Sequence, residues 1–275
     1  MSAFRSAVTV SLVPQAQGGP FIFWDGLEAA CAAAQELGFD AIEVFPPSAE
    51  ELNAHQLRGL LEKHGLKLAA VGTGAGWVVQ KLRLTDPDGT VRARAKNFIM
   101  AIVDLAGKLG APAIIGSMQG RVEAGIERSE ALRWMAEALE QLAPRAHAYD
   151  VPLLLEPLNR YETNLFNTVD DTLRFLSTLR TNNVKLLCDC FHMNVEEASI
   201  ADALKRAGGR VGHVHWADSN RRAAGMGHTD FDGIARALRE IGYSGYLSVE
   251  ALPFPDSITA ARATVESVRR LNAGA

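Results

Sequence analysis

Cysteine is scarce in this chain, and its absence removes several classes of protein at once. The three cysteines, Cys31, Cys188 and Cys190, form an odd set with no CxxC pair. That excludes a disulfide framework, fits a reducing compartment, and leaves the thiols as packing residues. No apolar run approaches the roughly 20 residues needed to cross a bilayer, and the opening "MSAFRSAVTVSLVPQAQGG" is too short and interrupted to be a secretory signal. A cytoplasmic location is expected. Charge of one sign is lacking too: 28 Lys and Arg face 32 Asp and Glu, interspersed, for a net charge of −4. With no basic stripe and no polybasic anchor, neither nucleic acid nor a membrane is the expected partner. A small diffusible molecule is.

Linkers are also missing. No stretch rich in Pro, Gly or Ser divides the 275 residues, and composition does not shift along them. Short aliphatic runs instead alternate with longer stretches of helical spacing. The runs are "AVTVSL" (7–12), "AIEVF" (41–45), "KLAAVGT" (67–73), "PAIIGS" (112–117), "VPLLLEPL" (151–158), "VKLLCD" (184–189), "VGHVHWAD" (211–218) and "GYLSVEAL" (245–252). Between them lie amphipathic segments such as "AHQLRGLLEKHG" and "FDGIARALREIG", several closing on a glycine suited to a helix C-terminus. Strand then helix, repeated eight times, predicts one closed (β/α)8 TIM barrel over residues 1–275, with an open doubly wound sheet as the competing arrangement. The "GTGAG" at 72–76 imitates a dinucleotide loop. The third glycine of that pattern falls on Trp77 and no short helix pattern follows directly, so a nucleotide role is discarded.

All strands of such a barrel point one way, so their last residues gather at one rim. Strand five delivers Glu156, strand six Asp189, strand seven His215 and strand eight Glu250. Each alone has an ordinary explanation: a solvated loop acid, an arginine partner, a core histidine. Together in one pocket, three carboxylates repel by on the order of several kcal/mol unless a cation or protons intervene. A divalent metal held by Glu156, Asp189, His215 and Glu250 is the economical explanation. Hard oxygen donors with one imidazole suit Mn²⁺ first, with Mg²⁺ or Co²⁺ as alternatives. The absence of a Cys cluster or an HExxH pair argues against a standard zinc site.

The blocks "EPLNRYETN", "DCFHMNVEE", "HVHWADSNRRAAGMGH" and "SVEALPFP" resemble the motifs of the xylose-isomerase-like TIM-barrel superfamily, and within it the ketose 3-epimerases related to D-tagatose 3-epimerase. The nearest likeness is the branch typified by 5-keto-L-gluconate epimerase, which also has a "GTG" after strand three and an "IIG…GR" block after strand four. The resemblance spans nearly the whole chain. It implies that the same four residues bind the metal, that His192 and Arg221 hold substrate oxygens near C1 and C2, that Glu162 assists from the strand-five loop, and that homo-oligomers are common. Ala223 and Ala224 stand where a proline is usual, which leaves the exact sugar open.

The expected activity is inversion at C3 of a ketose or keto-acid sugar through a cis-enediolate. Glu156 and Glu250, on strands separated by two others, are the expected acid/base pair on opposite faces. Arg121, after strand four, is a candidate for a substrate carboxylate. Trp24, Trp77 and Trp216 offer aromatic walls or packing, and Glu43 sits at the end of strand two as a further rim candidate. The competing readings are an aldose–ketose isomerase of the hydroxypyruvate-isomerase kind, a sugar-acid or inosose dehydratase, and a non-catalytic sugar sensor. A zinc nuclease of the endonuclease IV kind would require histidines on the early strands, which strands two and three lack.

Overall fold

The computed structural model describes residues 3–274. Eight parallel strands close in chain order into one barrel. They are β1 (Arg5–Ser11), β2 (Ala41–Phe45), β3 (Lys67–Gly72), β4 (Ala113–Ile115), β5 (Leu153–Leu155), β6 (Val184–Asp189), β7 (Val211–His215) and β8 (Tyr246–Val249). Each is buried on both faces over most of its length, which is why the strands read as continuous aliphatic runs rather than alternating ones.

The outer ring consists of α1 (Leu27–Leu37), α2 (Ala54–His64), α4 (Gly89–Lys108), α5 (Arg128–His147), α6 (Val169–Leu176), α8 (Ile200–Ala207), α9 (Phe231–Glu240) and α10 (Ser257–Ala273); two short helices, α3 (Ala75–Gln80) and α7 (Cys190–Glu196), sit in the βα loops. Local chemistry sets the boundaries. Asn53 opens α2 by accepting from the amides of His55 and Gln56, and Gly65 closes it at φ 65°, a left-handed turn that a glycine takes without steric cost. Thr168, Ser199, Asp230 and Asp256 cap α6, α8, α9 and α10 in the same way.

Four strands are shorter than the sequence predicts by three residues or more, because proline and loop geometry end the pairing early. β5 stops at Leu155, and Pro157 has no N–H with which to extend the ladder; Glu156 still donates its amide to the Ile115 carbonyl at 3.0 Å. β4, β7 and β8 likewise end at Ile115, His215 and Val249. The short helix α3 also corrects the reading of "GTGAG", since a helix does begin directly after Gly74.

The main apolar core lies between sheet and helices and takes in the buried, unpaired cysteines Cys31, Cys188 and Cys190. Inside the barrel, small clusters gather around Ala7, Ala41 and Ala69 and around Phe45, Ala70, Ile114, Leu154 and Leu187. Along β2 the inward residue between Ala41 and Phe45 is Glu43, fully buried. The barrel interior therefore carries a polar layer of Thr9, Glu43, His213 and His215, all buried, between apolar ones. Among the described residues, no helix is long and apolar enough to cross a membrane.

Candidate metal and substrate site

Register brings four of the predicted residues to one point. Asp189 and His215 are direct neighbours across β6 and β7, and Glu156 and Glu250 each lie one residue beyond the end of their strand. One donor atom from each of the four lies within 4.8 Å of the others. The His215 Nδ1 stands 3.6 Å from Glu156 Oε1, 3.5 Å from Asp189 Oδ2 and 3.5 Å from Glu250 Oε2.

The other polar atoms of Asp189 and His215 are already engaged. Asp189 caps α7, its Oδ1 accepting from the amides of Phe191 at 2.7 Å and His192 at 3.2 Å, so that Oδ2 alone faces the centre. The Nε2 of His215 lies 2.9 Å from Glu43 Oε1, which orients the ring and presents Nδ1 inward. The second Glu43 oxygen binds His213 Nε2 at 2.6 Å. Glu43 thus lies beneath the site and not on the rim where the sequence puts it.

Whether a cation suits this cage is answered by its unpaired atoms. Glu156 Oε1, Asp189 Oδ2 and His215 Nδ1 are buried and have no hydrogen-bond partner. Such atoms are costly to leave unmade, and all three converge with Glu250 on one point. The donor set of three carboxylates and an imidazole fits a divalent ion. The electrostatics agree. Burial, reinforced by the charge of Glu250, pushes the Glu156 carboxyl above its ordinary range, although His215 opposes the shift. Burial would lower His215, but Glu43 and then Glu250 outweigh it and hold the imidazole well above its usual value. A cage that holds protons against its own crowding releases them when a cation enters.

Above the cage opens a cavity of about 350 Å³, in the range of small-molecule sites. Its ionisable lining comes from Glu156, Glu162, His192, Arg221 and Glu250. His192, on α7, is buried; its Nδ1 accepts from the Asn159 side chain at 2.7 Å, which leaves Nε2 as the nitrogen facing Glu156, 3.9 Å away. Arg221 donates to Glu250 Oε2 at 2.9 Å and to Glu162 Oε1 at 3.2 Å, and lies 4.7 Å over the Phe191 ring. Burial opposes its charge, but Glu250 and Asp189 more than compensate, so it stays protonated. The opposite wall is uncharged: Phe21, Phe45, Trp77, Val78 and Ile114 supply apolar surface.

Arg121 is not brought here. It is exposed, outside the cavity lining, because the chain turns away from the rim at Gly120, φ 84°. Trp216 is fully buried against Phe231, and Trp24 stacks edge-on to Phe21 outside the lining; of the three tryptophans only Trp77 reaches the cavity. Sequence reasoning also missed Asn159, Gly116 and the Glu43–His213–His215 chain. A signal for the last was present. "HVH" on a strand puts both histidines on one face, and a carboxylate in the middle of "AIEVF" needs a buried partner.

A closed (β/α)8 barrel with a carboxylate–imidazole cage at its C-terminal rim defines a class of TIM-barrel proteins with a small-molecule pocket above a candidate cation site. Within that class, the chain belongs to the Xylose isomerase-like TIM barrel family, which matches residues 31–273. It is 32% identical over 222 residues to D-psicose 3-epimerase of Ruminiclostridium cellulolyticum, covering 78% of this chain and 74% of that one. It is 33% identical over 229 residues to L-ribulose 3-epimerase of Mesorhizobium japonicum, covering 82% and 75%. A solved L-ribulose 3-epimerase superposes with a TM-score of 0.83 at 26% identity, covering 98% of this chain and 95% of that one.

Proposed function

We propose that this protein is a divalent-metal-dependent sugar 3-epimerase acting on a ketose. The observation that carries the reading is the placement of two glutamates, Glu156 and Glu250, at the ends of β5 and β8 on either side of one buried centre, both lining the same small cavity. An epimerase needs such a pair. One carboxylate takes the C3 proton, the C3–H electron pair enters the C2–C3 bond, and the carbonyl pair moves onto the C2 oxygen to give a cis-enediolate. The other carboxylate returns a proton to C3 on the opposite face as the carbonyl re-forms. The charge that develops on oxygen has to be met.

Glu156, Asp189, His215 and Glu250 would hold the metal, Mn²⁺ in the first instance, with Mg²⁺ or Co²⁺ as alternatives. When bound, it supplies positive charge to the oxygen where negative charge builds. His192 and Arg221 hold the oxygens around C1 and C2, and Glu162 keeps Arg221 in place from the strand-five loop. The substrate is an uncharged ketose: Arg221 is the only guanidinium or ammonium among the lining residues, and it is already paired with two carboxylates. Three free, buried cysteines suit work in a reducing cytoplasm.

The test is proton NMR in D₂O of the Mn²⁺-supplied protein with ketopentoses, ketohexoses and keto-acid sugars, wild type beside Glu250→Gln. Deuterium at C3 with a new epimer, and an exchange rate at least about 10²-fold slower in the variant, is the expected result. Deuterium at C1 or C2 would make it an aldose–ketose isomerase, an enone absorbing in the ultraviolet a dehydratase, and binding without exchange a sensor.

A further inference from the structure

Arg221 reaches the cavity from a loop, and loops do not hold an arginine in place unaided. Its backbone has φ 58°, a left-handed conformation that non-glycine residues adopt only when their surroundings enforce it. The loop that carries it is gathered around a single buried carboxylate. Asp218, three residues past His215, is 1% exposed. Its Oδ1 accepts from the amides of Ser219 at 2.7 Å and Thr229 at 3.0 Å; its Oδ2 accepts from those of Gly225 and Gly227, each at 2.8 Å. Its own carbonyl accepts from the Arg221 amide, and its own amide donates to the Arg222 carbonyl, both at 2.8 Å.

One side chain therefore gathers both arms of the loop from 218 to 229 around itself. The Arg221 carbonyl is fixed in turn by the amide of Leu252, two residues past Glu250. We propose that Asp218 is the positioning residue for Arg221: its carboxylate presets the loop so that the guanidinium stands over Glu250 and Glu162 before substrate arrives. The inference rests on the reading of Arg221 as a substrate-holding group. Burial disfavours the Asp218 charge, yet the amides of Thr229, Ser219 and Gly227 keep its carboxyl below the usual range, so four donors meet a full negative charge.

Two variants displace that carboxylate independently. Asp218→Asn keeps the shape but turns one acceptor into a donor facing amide hydrogens. Gly227→Ala places a methyl 2.4 Å from Asp218 Oδ1 and 2.5 Å from Ser219 Oγ. Each is expected to lower kcat/KM about tenfold or more, and to speed trypsin cleavage after Arg221 and Arg222 over cleavage elsewhere, with Mn²⁺ affinity within about threefold of wild type. In an Arg221→Ala background, Asp218→Asn should add less than about a twofold further loss, because Asp218 acts through Arg221. An equal loss in both backgrounds, unchanged cleavage, or a fall in Mn²⁺ affinity that tracks activity would overturn the proposal. If the wild type exchanges protons with no ketose, the functional reading fails, and trypsin cleavage alone decides whether Asp218 holds the loop.

Discussion

The two halves of the barrel rim are built from different materials. Strands β5 to β8 and the loops after them bring every charged group that lines the cavity: Glu156, Glu162, His192, Arg221 and Glu250. Strands β1 to β4 and their loops bring none; their contribution is Phe21, Phe45, Trp77, Val78 and Ile114, with small residues at Gly74 and Gly116. The polar lining on this side, Ser11, Gln15, Gln17, Thr73 and Ser117, is uncharged, and Thr73 is engaged by the backbone, donating to the Ile114 carbonyl at 2.7 Å. The late half carries the charged groups. The early half sets shape. Chemistry shared across a family and a substrate preference private to one member can thus vary on different strands.

The sharpest way to break this division is to make the early half interfere with the late one. Gly116 follows β4, and its neighbour across the ladder is Glu156; a Cβ there would stand 2.5 Å from Glu156 Oε2. The clash is with the far end of a flexible side chain, so the protein folds and the carboxylate moves. Gly116→Ala should lower kcat about 10²-fold, as expected for a reacting group displaced by about 1 Å, while the thermal midpoint stays within a few degrees. Paired deuterium-exchange and melting measurements check it. Near-wild-type turnover would mean that the early half does not seat Glu156.

Glu43 is the exception that sharpens the comparison. It is a charged residue of the early half buried inside the barrel, and it holds the late-half His215 from below. Burial opposes its ionisation, but His215 and His213 overcome this and hold its carboxyl well below the usual range. It therefore remains an anion throughout working pH, able to accept from both rings. Glu43→Gln keeps the volume and loses one acceptor, freeing the His215 ring to reorient. A fall of about 10- to 100-fold in Mn²⁺ affinity is expected, measured by calorimetric titration, with KM for the sugar at saturating metal changed much less. Unaltered affinity would leave Glu43 a purely structural partner.

What the sequence disclosed follows the same division. The barrel was readable because buried parallel strands are aliphatic throughout and helices mark their own ends, as Gly38 and Gly65 do. The late rim was readable because a charge at the end of an apolar run, as in "LLLEP" or "LLCDC", is conspicuous and its position on the rim follows from topology alone. Partners that depend on three-dimensional crossing were not. Glu43 and His213 are 170 positions apart, and nothing local links them. Asp218 reads in the sequence only as the polar end of the run "VGHVHWAD", since four amides arriving from both arms of a turn leave no mark there. Strand ends failed for a simpler reason: proline and the loop direction, not apolarity, end the ladder.

Arg121 makes the smallest prediction and tests the boundary between the halves. An arginine following β4, near a "GSMQGR" block, has the right chemistry for a sugar carboxylate. The chain places it elsewhere: Gly120 at φ 84° turns the backbone, the Thr85 hydroxyl binds the Arg121 carbonyl at 3.0 Å, and the side chain is exposed outside the cavity. An exposed cation separated from a bound sugar by solvent acts through a screened field, worth little at physiological ionic strength. Arg121→Ala should change KM less than about twofold, and equally for a neutral ketose and a keto-acid sugar, in steady-state assays on both. A selective rise for the acid sugar would give the early half a charge-recognition role, and the substrate class would have to be redrawn around it.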